Sequence, residues 1–541
     1  MIREADEQWP IKVRLDDDTI MKLERLRDHV LHPGGLIVLP TETVYGLAAN
    51  ALCDDSVFKI FEVKGRPLSD PVILHVPTFR DALSSIFDAD LFDACLILFL
   101  GLSFSPGPLT MITRGKEGLS PLLSANTGFP AVRCPSHHIA QLILKHVGVP
   151  LAAPSANKFG HISPTSAEHV SSEFEGVPMF IIDGGRCDLG VESTVLKVEP
   201  VFDDIRAEVF LKKHKGTYAN LQTVISLLRP EVISDPSKKD ELIEKCSFMA
   251  GMPSSLPRDL IDTLLSMKDT SRTVTILRPG YVTEADLTRR LSSSFFSNVK
   301  VVHKQIFAKA HEHCECPGTT LTHYAPAVPT YLASEVQSEG GVPVDSESIV
   351  MVDCDGDFKD FVDSFLYYIP MAKGDQSLAY NLYDSLRQAE RMALRCIGTV
   401  NPYAGEDAWP MSTIIVVNYK EQPTELNATL RDRLIRASSG NTVKYKLDPD
   451  NVEFFMVGLG FQSVKKTHVF SAEAVKLKEV LKSRKKIGKS KSSRDKSTTK
   501  PTKAHGNTSD DEPSRLDLIL SASRPRKAVL KKAVSKGRRK T

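Results

Sequence analysis

The chain has 541 residues, too many for one ordinary domain, with 41% hydrophobic and 25% charged residues, so two or three soluble globular domains are expected. From Leu481 to the end, 20 Lys and Arg stand against 5 Asp and Glu, a net of +15, which leaves 49 basic and 62 acidic residues, a net of −13, for the remainder. Nine scattered cysteines speak against a disulfide framework, the acidic start MIREADEQWP against a signal or transit peptide, and LFDACLILFLGL is too short for a membrane helix and carries Asp93. A cytoplasmic protein without membrane contact is expected, with a nuclear or mitochondrial share left open.

Apolar spacing predicts a helix over Thr19–Leu31, with Ile20, Leu23, Leu26 and Val30 on one face. HPGG turns the chain into the strand LIVLP. Asp54 and Asp55 are expected to cap a second helix that buries Val57, Phe58, Ile60 and Phe61 and is ended by Gly65 and Pro67. Lys64 and Arg66 therefore stand at a helix C-terminus, two cations with no acidic residue between or directly beside them, ahead of the strand PVILHV. Neither belongs to the apolar core, so the fold is expected to survive their removal. The strands FPAVRCP and PLAAPSAN follow, and Thr165 to Glu168 reads as a capping box.

Strands alternating with helices predict an α/β domain over 1–303, with an insertion at about 200–272, then a linker over 304–330. A second, smaller Rossmann-like α/β domain is expected over 331–465. There the strands SIVMVDCD and STIIVVNY bracket the helix SLAYNLYDSLRQAERMALR, and RDRLIRASS reads as a closing helix. The Lys-, Arg- and Ser-rich stretch 481–541 is expected to be a disordered basic tail.

No phosphate-cradling G-x-x-x-x-G-K-[ST] motif is present. Instead, short polar stretches fall at strand ends: PTETVYGL, KGRP, AVRCP, APSAN, ISPT, GVEST and LRPG. Strand ends facing one crevice are where open α/β sheets bind ligands. Hydroxyls, amides and separated cations with few carboxylates suit an anionic ligand such as a triphosphate or a carboxylate. HEHCEC, His311 to Cys316, packs its ligand types too tightly for one tetrahedral ion, so no protein-held metal is expected.

The stretches GGLIVLPTETVYGLAANA, IFEVKGRP, APSAN, ISPT and GVEST, in that order, resemble the threonylcarbamoyl-adenylate synthase family and its YrdC-type domain. LRPG, PGTTLTHYAP and the second α/β unit resemble the family's long form. The resemblance implies a YrdC-like twisted mixed sheet with flanking helices. It implies that L-threonine, bicarbonate and ATP, with magnesium accompanying the ATP, give threonylcarbamoyl-adenylate and pyrophosphate. A separate transferase complex would pass the threonylcarbamoyl group to the adenosine beside the anticodon of tRNA, and weak binding of tRNA or double-stranded RNA is expected.

By the same resemblance, Lys64, Arg66, Ser155 and Asn157 form the basic and polar quartet at the triphosphate and reacting centre. His75 and Arg133 would hold the threonine carboxylate or hydroxyl, with Thr41 or Thr43, Ala153 and Ser193 beside them. Asp70, Ser163, Arg278 and the linker residue Tyr324 would join the nucleotide contacts, the linker acting as a lid. Lys64 and Arg66 would then lack adjacent acids because their partner is the ligand. The sequence departs from the family at Asp70, where Asn is usual and can donate a hydrogen bond, and at Phe129, where a hydroxyl residue is commoner. An RNA-binding module with the same fold and no adenylate chemistry is the alternative. A hydrogenase-maturation carbamoyltransferase shares this domain but would need further regions ahead of it.

Overall fold

The computed structural model describes residues 10–14, 19–199, 272–304, 306, 313–336, 341–396, 413–421, 424–448 and 451–456. The chain divides into a unit of residues 1–462 and one of residues 463–541. The second unit, the expected tail, nearly all of the insertion, and His311 of HEHCEC lie outside the described residues.

The first sheet holds β1 (Ile11–Val13), β2 (Ile37–Leu39), β3 (Gly46–Asn50), β4 (Ile73–His75), β5 (Leu109–Ile112), β6 (Ala131–Arg133), β7 (Leu151–Ala152), β8 (Phe180–Ile182), β9 (Thr194–Val198), β10 (Thr273–Arg278) and β11 (Lys300–His303). Their order is β1-β8-β2-β3-β7-β4-β6-β5-β9-β10-β11, a mixture of parallel and antiparallel pairs. The central strands β2, β4 and β6 are buried along their length, whereas the edge strands β1 and β11 are partly exposed. α1 (Thr19–Leu31) packs Leu23, Leu26 and Val30 inward as its spacing predicts. α2 (Asp54–Lys64) buries Val57, Ile60 and Phe61, while Phe58 stays half-buried.

Two helix starts differ from expectation. The N-cap of α2 is Cys53, without a side-chain bond, and Asp54 and Asp55 occupy the first turn, where the helix dipole favours acids. α6 (Ala167–Glu173), which follows α3 (Phe79–Ser85), α4 (Leu91–Phe104) and α5 (His138–Val147), is capped by Ser166, whose hydroxyl accepts the His169 N–H. The capping box expected at Thr165 therefore falls one residue late and lacks its acidic partner. The apolar helix α4 is enclosed by the core, and Arg272 ties its first turn through Asp90 and Asp93. No helix among the described residues is long and apolar enough to cross a membrane.

After α7 (Glu284–Ser292), a second sheet forms from β12 (Thr330–Glu335), β13 (Val342–Val344), β14 (Ile349–Asp353), β15 (Tyr367–Pro370), β16 (Ile414–Asn418), β17 (Thr442–Asp448) and β18 (Asn451–Met456). Its order is β13-β18-β17-β12-β16-β14-β15, with the run from β17 to β15 parallel. α8 (Asp375–Cys396) and α9 (Asn427–Ala437) stand where the two amphipathic stretches predict them. The hairpin β17–β18 extends the unit past the expected closing helix. The molecule is thus a YrdC-like mixed α/β sheet joined to a smaller Rossmann-like one.

Candidate active site

Strand ends of the first sheet and the segment before β12 enclose one crevice. Its walls include Thr41, Arg66, His75, Arg133, Ala153, Ser155, Ser193, Arg278 and Tyr324. The cavity between them amounts to about 40 Å³.

Helix α2 ends where Gly65 adopts φ 65°, its N–H donating to Glu62 O and the Arg66 N–H to Phe61 O. A left-handed residue at that point suits glycine. It sends Lys64 and Arg66 to different sides. Lys64 Nζ is buried behind the wall and donates to the carbonyls of Ser155 (2.6 Å) and Asn157. Burial first, and then Arg66, lowers its pKa well below the ordinary lysine value. Arg66 faces the crevice, yet it donates to Asp70 O (3.0 Å) and Pro71 O (2.5 Å), with Nη2 3.0 Å from Asp70 Oδ2.

Two expectations are corrected here. Arg66 has an acidic partner one turn on, and both cations are held inside the folded core by hydrogen bonds, so the fold is not indifferent to them. Asp70 lies behind Arg66, where burial raises its carboxyl pKa against the pull of Arg66 and Lys64. Asn157 likewise lies behind the wall, its amide donating to the carbonyls of Lys158 and His161 at 2.8 Å each. Ser155 is the member of that turn that borders the crevice.

On the opposite wall, β4 and β6 pair in register and set His75 beside Arg133. Burial, then Arg133, lowers the His75 pKa to about 3, so its ring is neutral. Nδ1 lies 3.2 Å from the Ile73 carbonyl, which can only accept. The ring proton is therefore on Nδ1, leaving Nε2 an acceptor. Arg133 is central in its sheet, not on an edge. It donates to Thr43 Oγ1 (2.7 Å) and Glu42 Oε1 (2.6 Å). Burial of Glu42 is outweighed by Arg133, and its carboxyl titrates below the ordinary value. Thr43 is thus a bracket for Arg133 behind the wall, while Thr41 borders the crevice with its hydroxyl donating to Val44 O at 2.6 Å.

The third wall is Ser193 and Arg278. Arg278 donates to Ser193 O (2.9 Å), Ser193 Oγ (3.1 Å) and Pro317 O (3.3 Å), all neutral acceptors, and makes no ion pair among the described residues. Glu192 also borders the crevice, but Oε1 accepts from Ser163 (2.6 Å) and Oε2 from Tyr383 (2.6 Å) and Arg433 (2.9 Å). This corrects the placement of Ser163: its hydroxyl is held by Glu192, outside the crevice lining.

The roof is the segment 317–324. Gly318, at φ 77°, lets the chain pass where a Cβ would stand 2.8 Å from the Tyr324 hydroxyl and 3.3 Å from Arg278 Nη1. Tyr324 is buried at φ 60° with its hydroxyl lacking a hydrogen bond among the described residues, and burial raises its pKa to about 12. His323 packs against it at 4.1 Å between ring centroids.

Glu42, Glu192 and His323 were not assigned from sequence, although each sits inside a quoted motif. Their position beside assigned residues was the available signal. With both oxygens of Glu192 engaged, the crevice offers a metal no free carboxylate among its described residues. Of HEHCEC, His313 Nδ1 meets the Ala125 carbonyl at 2.8 Å and Glu315 pairs with Lys197. No metal-holding group of His, Cys, Asp and Glu occurs among the described residues.

Family comparison matches residues 29–207 to the family described as "Telomere recombination" and residues 282–439 to "Threonylcarbamoyl-AMP synthase, C-terminal domain". The threonylcarbamoyl-AMP synthase of Pyrococcus abyssi is 38% identical over 36% of this chain and 52% of its own length. That of Bacillus subtilis is 39% identical over 39% and 59%. The chain thus spans little more than half the length of these curated relatives. A putative threonylcarbamoyl-AMP synthase of Methanocaldococcus jannaschii is 30% identical over 33% of this chain and 80% of its own. Among solved structures, P. abyssi Sua5 complexed with L-threonine shares the fold, with TM-score 0.53 and 23% identity over 80% of this chain and 98% of that one.

Proposed function

Because the chain belongs to the threonylcarbamoyl-AMP synthase family, we propose that its crevice condenses L-threonine, bicarbonate and ATP into threonylcarbamoyl-adenylate and pyrophosphate. The observation that carries this reading is the convergence of Arg66, Arg133 and Arg278 on one crevice, with the charge of Arg278 met, among the described residues, by neutral acceptors. Such a wall suits an anion.

Threonine's amine combines with the carbon of bicarbonate, releasing water, to form a carbamate. A carbamate oxygen then attacks the α-phosphorus, and the bond to the bridging oxygen breaks as pyrophosphate leaves. The two reactants are both anions, so catalysis consists of holding them in line and offsetting the charge that grows on the phosphates. Arg66 and Arg278 take the phosphates, with Ser155 between them. Lys64 acts one step removed, by fixing the turn that presents Ser155, with Asn157 bracing that turn from behind. Arg133 orients the threonine carboxylate. Neutral His75, an acceptor at Nε2, suits threonine's hydroxyl and not its carboxylate. Magnesium enters with the nucleotide as part of the substrate.

The segment 317–324, which roofs the crevice, would serve as the lid that admits ATP and then excludes water from a labile adenylate. The adenylate is then the donor for the tRNA adenosine beside the anticodon, transferred by a separate complex. The convergence of Arg66, Arg133 and Arg278 with Ser155 and Ser193 on one enclosed crevice favours the enzyme over a pure RNA-binding module, which has no need of that constellation.

Pyrophosphate release is measured with ATP, bicarbonate and threonine, omitting each in turn. Release should require all three. Valine in place of threonine should lower the rate by about tenfold or more, because a buried acceptor stays unpaired, and serine should fall between. Release without an amino acid, or equal use of valine, would sink the assignment.

A further inference from the structure

Helix α9 of the second sheet reaches the back of the crevice. Its Arg433 is fully buried and touches three structures at once. Nε donates to Glu192 Oε2 at 2.9 Å, Nη2 donates to the Pro279 carbonyl at 2.8 Å, and the guanidinium lies 5.0 Å from the Tyr324 ring centroid. Two of the contacts back the third wall from different chain segments and one backs the roof. Glu192 precedes Ser193, Pro279 follows Arg278, and Tyr324 belongs to the roof.

Neighbouring groups act in the same sense. Thr429, one turn earlier on α9, donates to the Gly280 carbonyl at 2.8 Å. Gly280 is pressed so closely on the 192–194 turn that a Cβ would stand 2.2 Å from Thr194 N. Tyr383 of α8 donates to the same Glu192 oxygen at 2.6 Å and stacks on Tyr324 at 5.5 Å.

We propose that Arg433 is a positioning residue for the nucleotide side of the site: by bridging Glu192, Pro279 and Tyr324 it fixes Ser193, Arg278 and the roof relative to one another. The proposal rests on the synthase reading above. A planar guanidinium reaches Glu192 and Pro279 through two fixed N–H groups while its charge lies over the Tyr324 ring. A lysine could neutralise Glu192 but carries its donors on a single nitrogen and would not hold all three contacts in that geometry. Charge balance and positioning therefore predict different behaviour for the conservative variant.

The full chain and its Arg433→Lys and Tyr383→Phe variants are compared in three measurements. These are pyrophosphate release over ranges of ATP and threonine, binding of α,β-methylene-ATP, and the thermal midpoint. Positioning predicts that Arg433→Lys raises the KM for ATP and the Kd of the analogue by about tenfold or more, while the KM for threonine changes by less than about twofold. Tyr383→Phe should shift the same two quantities less, with the midpoint within a few degrees of the parent. Parent-like ATP constants in Arg433→Lys overturn the proposal, as does an equal loss toward ATP and threonine. If Arg433→Lys fails to fold, Tyr383→Phe decides on the same readouts. Threonine-independent release by a parent that binds the analogue would sink the synthase reading and leave the analogue Kd to decide Arg433. A parent that binds no analogue overturns both.

Discussion

At His161 one imidazole meets two carboxylates from different helices, α6 and α8. Nδ1 lies 2.7 Å from Glu173 Oε1 and Nε2 lies 2.8 Å from Glu390 Oε1. Around them, Arg387 Nη2 stands 3.1 Å from Glu173 Oε2, the Lys158 N–H donates to Glu173, and the Ala327 N–H donates to Glu390. Burial alone would lower the His161 pKa, but the bonds to Glu173 and Glu390 raise it to about 9. Burial alone would raise that of Glu173, but His161 and Arg387 bring it to about 2. The ring is a cation donating from both nitrogens. Its contribution is complete below the unfolded value of 6.5 and is lost as pH rises through 9. That of Glu173 is complete above 4.5 and is lost as pH falls through 2. The stability of the full chain should therefore fall by on the order of 2 kcal/mol between pH 7 and pH 9.5, read as a lower thermal midpoint. His161→Gln should flatten that slope. An alkaline slope unchanged by the substitution would remove His161 as its source.

The docking of α8 is decided at the element scale by a glycine. Gly190, at φ 73°, lies where a Cβ would stand 2.5 Å from the Ala379 carbonyl and 2.6 Å from that of Tyr380. The helix then lies close enough for Arg186 to stack on Tyr380 at 4.1 Å and donate to Asn381 Oδ1 at 2.9 Å. Gly185, at φ 81°, has nothing within 4 Å of such a Cβ. Gly185→Ala should cost about 1 kcal/mol of backbone strain. Gly190→Ala adds overpacking against helix backbone and should cost about 3 kcal/mol in total. Urea midpoints of the two variants give the comparison. Equal shifts would show that α8 yields without cost.

At the scale of the whole molecule, charge is divided along the chain, −13 before Leu481 and +15 from there on. None of the motifs that line the crevice falls in the basic stretch. Removing residues 481–541 should leave pyrophosphate release from ATP, bicarbonate and threonine unchanged. The same removal should weaken tRNA binding and flatten its salt dependence, because fewer counterions are released. Binding titrations at low and moderate salt check this. Lost release would place the stretch in the catalytic machinery, and unchanged binding would deny it the electrostatic role.

Local signals determined the elements. The spacing in Thr19–Leu31, the stop at Gly65 and the strand before His75 are read directly from residue order, because side-chain period and cap chemistry act within a few residues. The crevice walls were legible for a related reason: their residues sit in short motifs at strand ends, and strand ends of one sheet face a common opening. The closing hairpin β17–β18 went unread because KYKLDPDNVEFF lacks a tight two-residue turn signal. Pairing was beyond the sequence altogether. Arg133 meets Glu42 across 91 positions, His161 meets Glu390 across 229, and Arg433 meets Glu192 across 241. A polar group enclosed by the core must find a partner, but nothing in its own neighbourhood names which one. The strand order and the docking of α8 and α9 bring those partners within reach, so tertiary structure alone decided which cations face the crevice and which hold its walls.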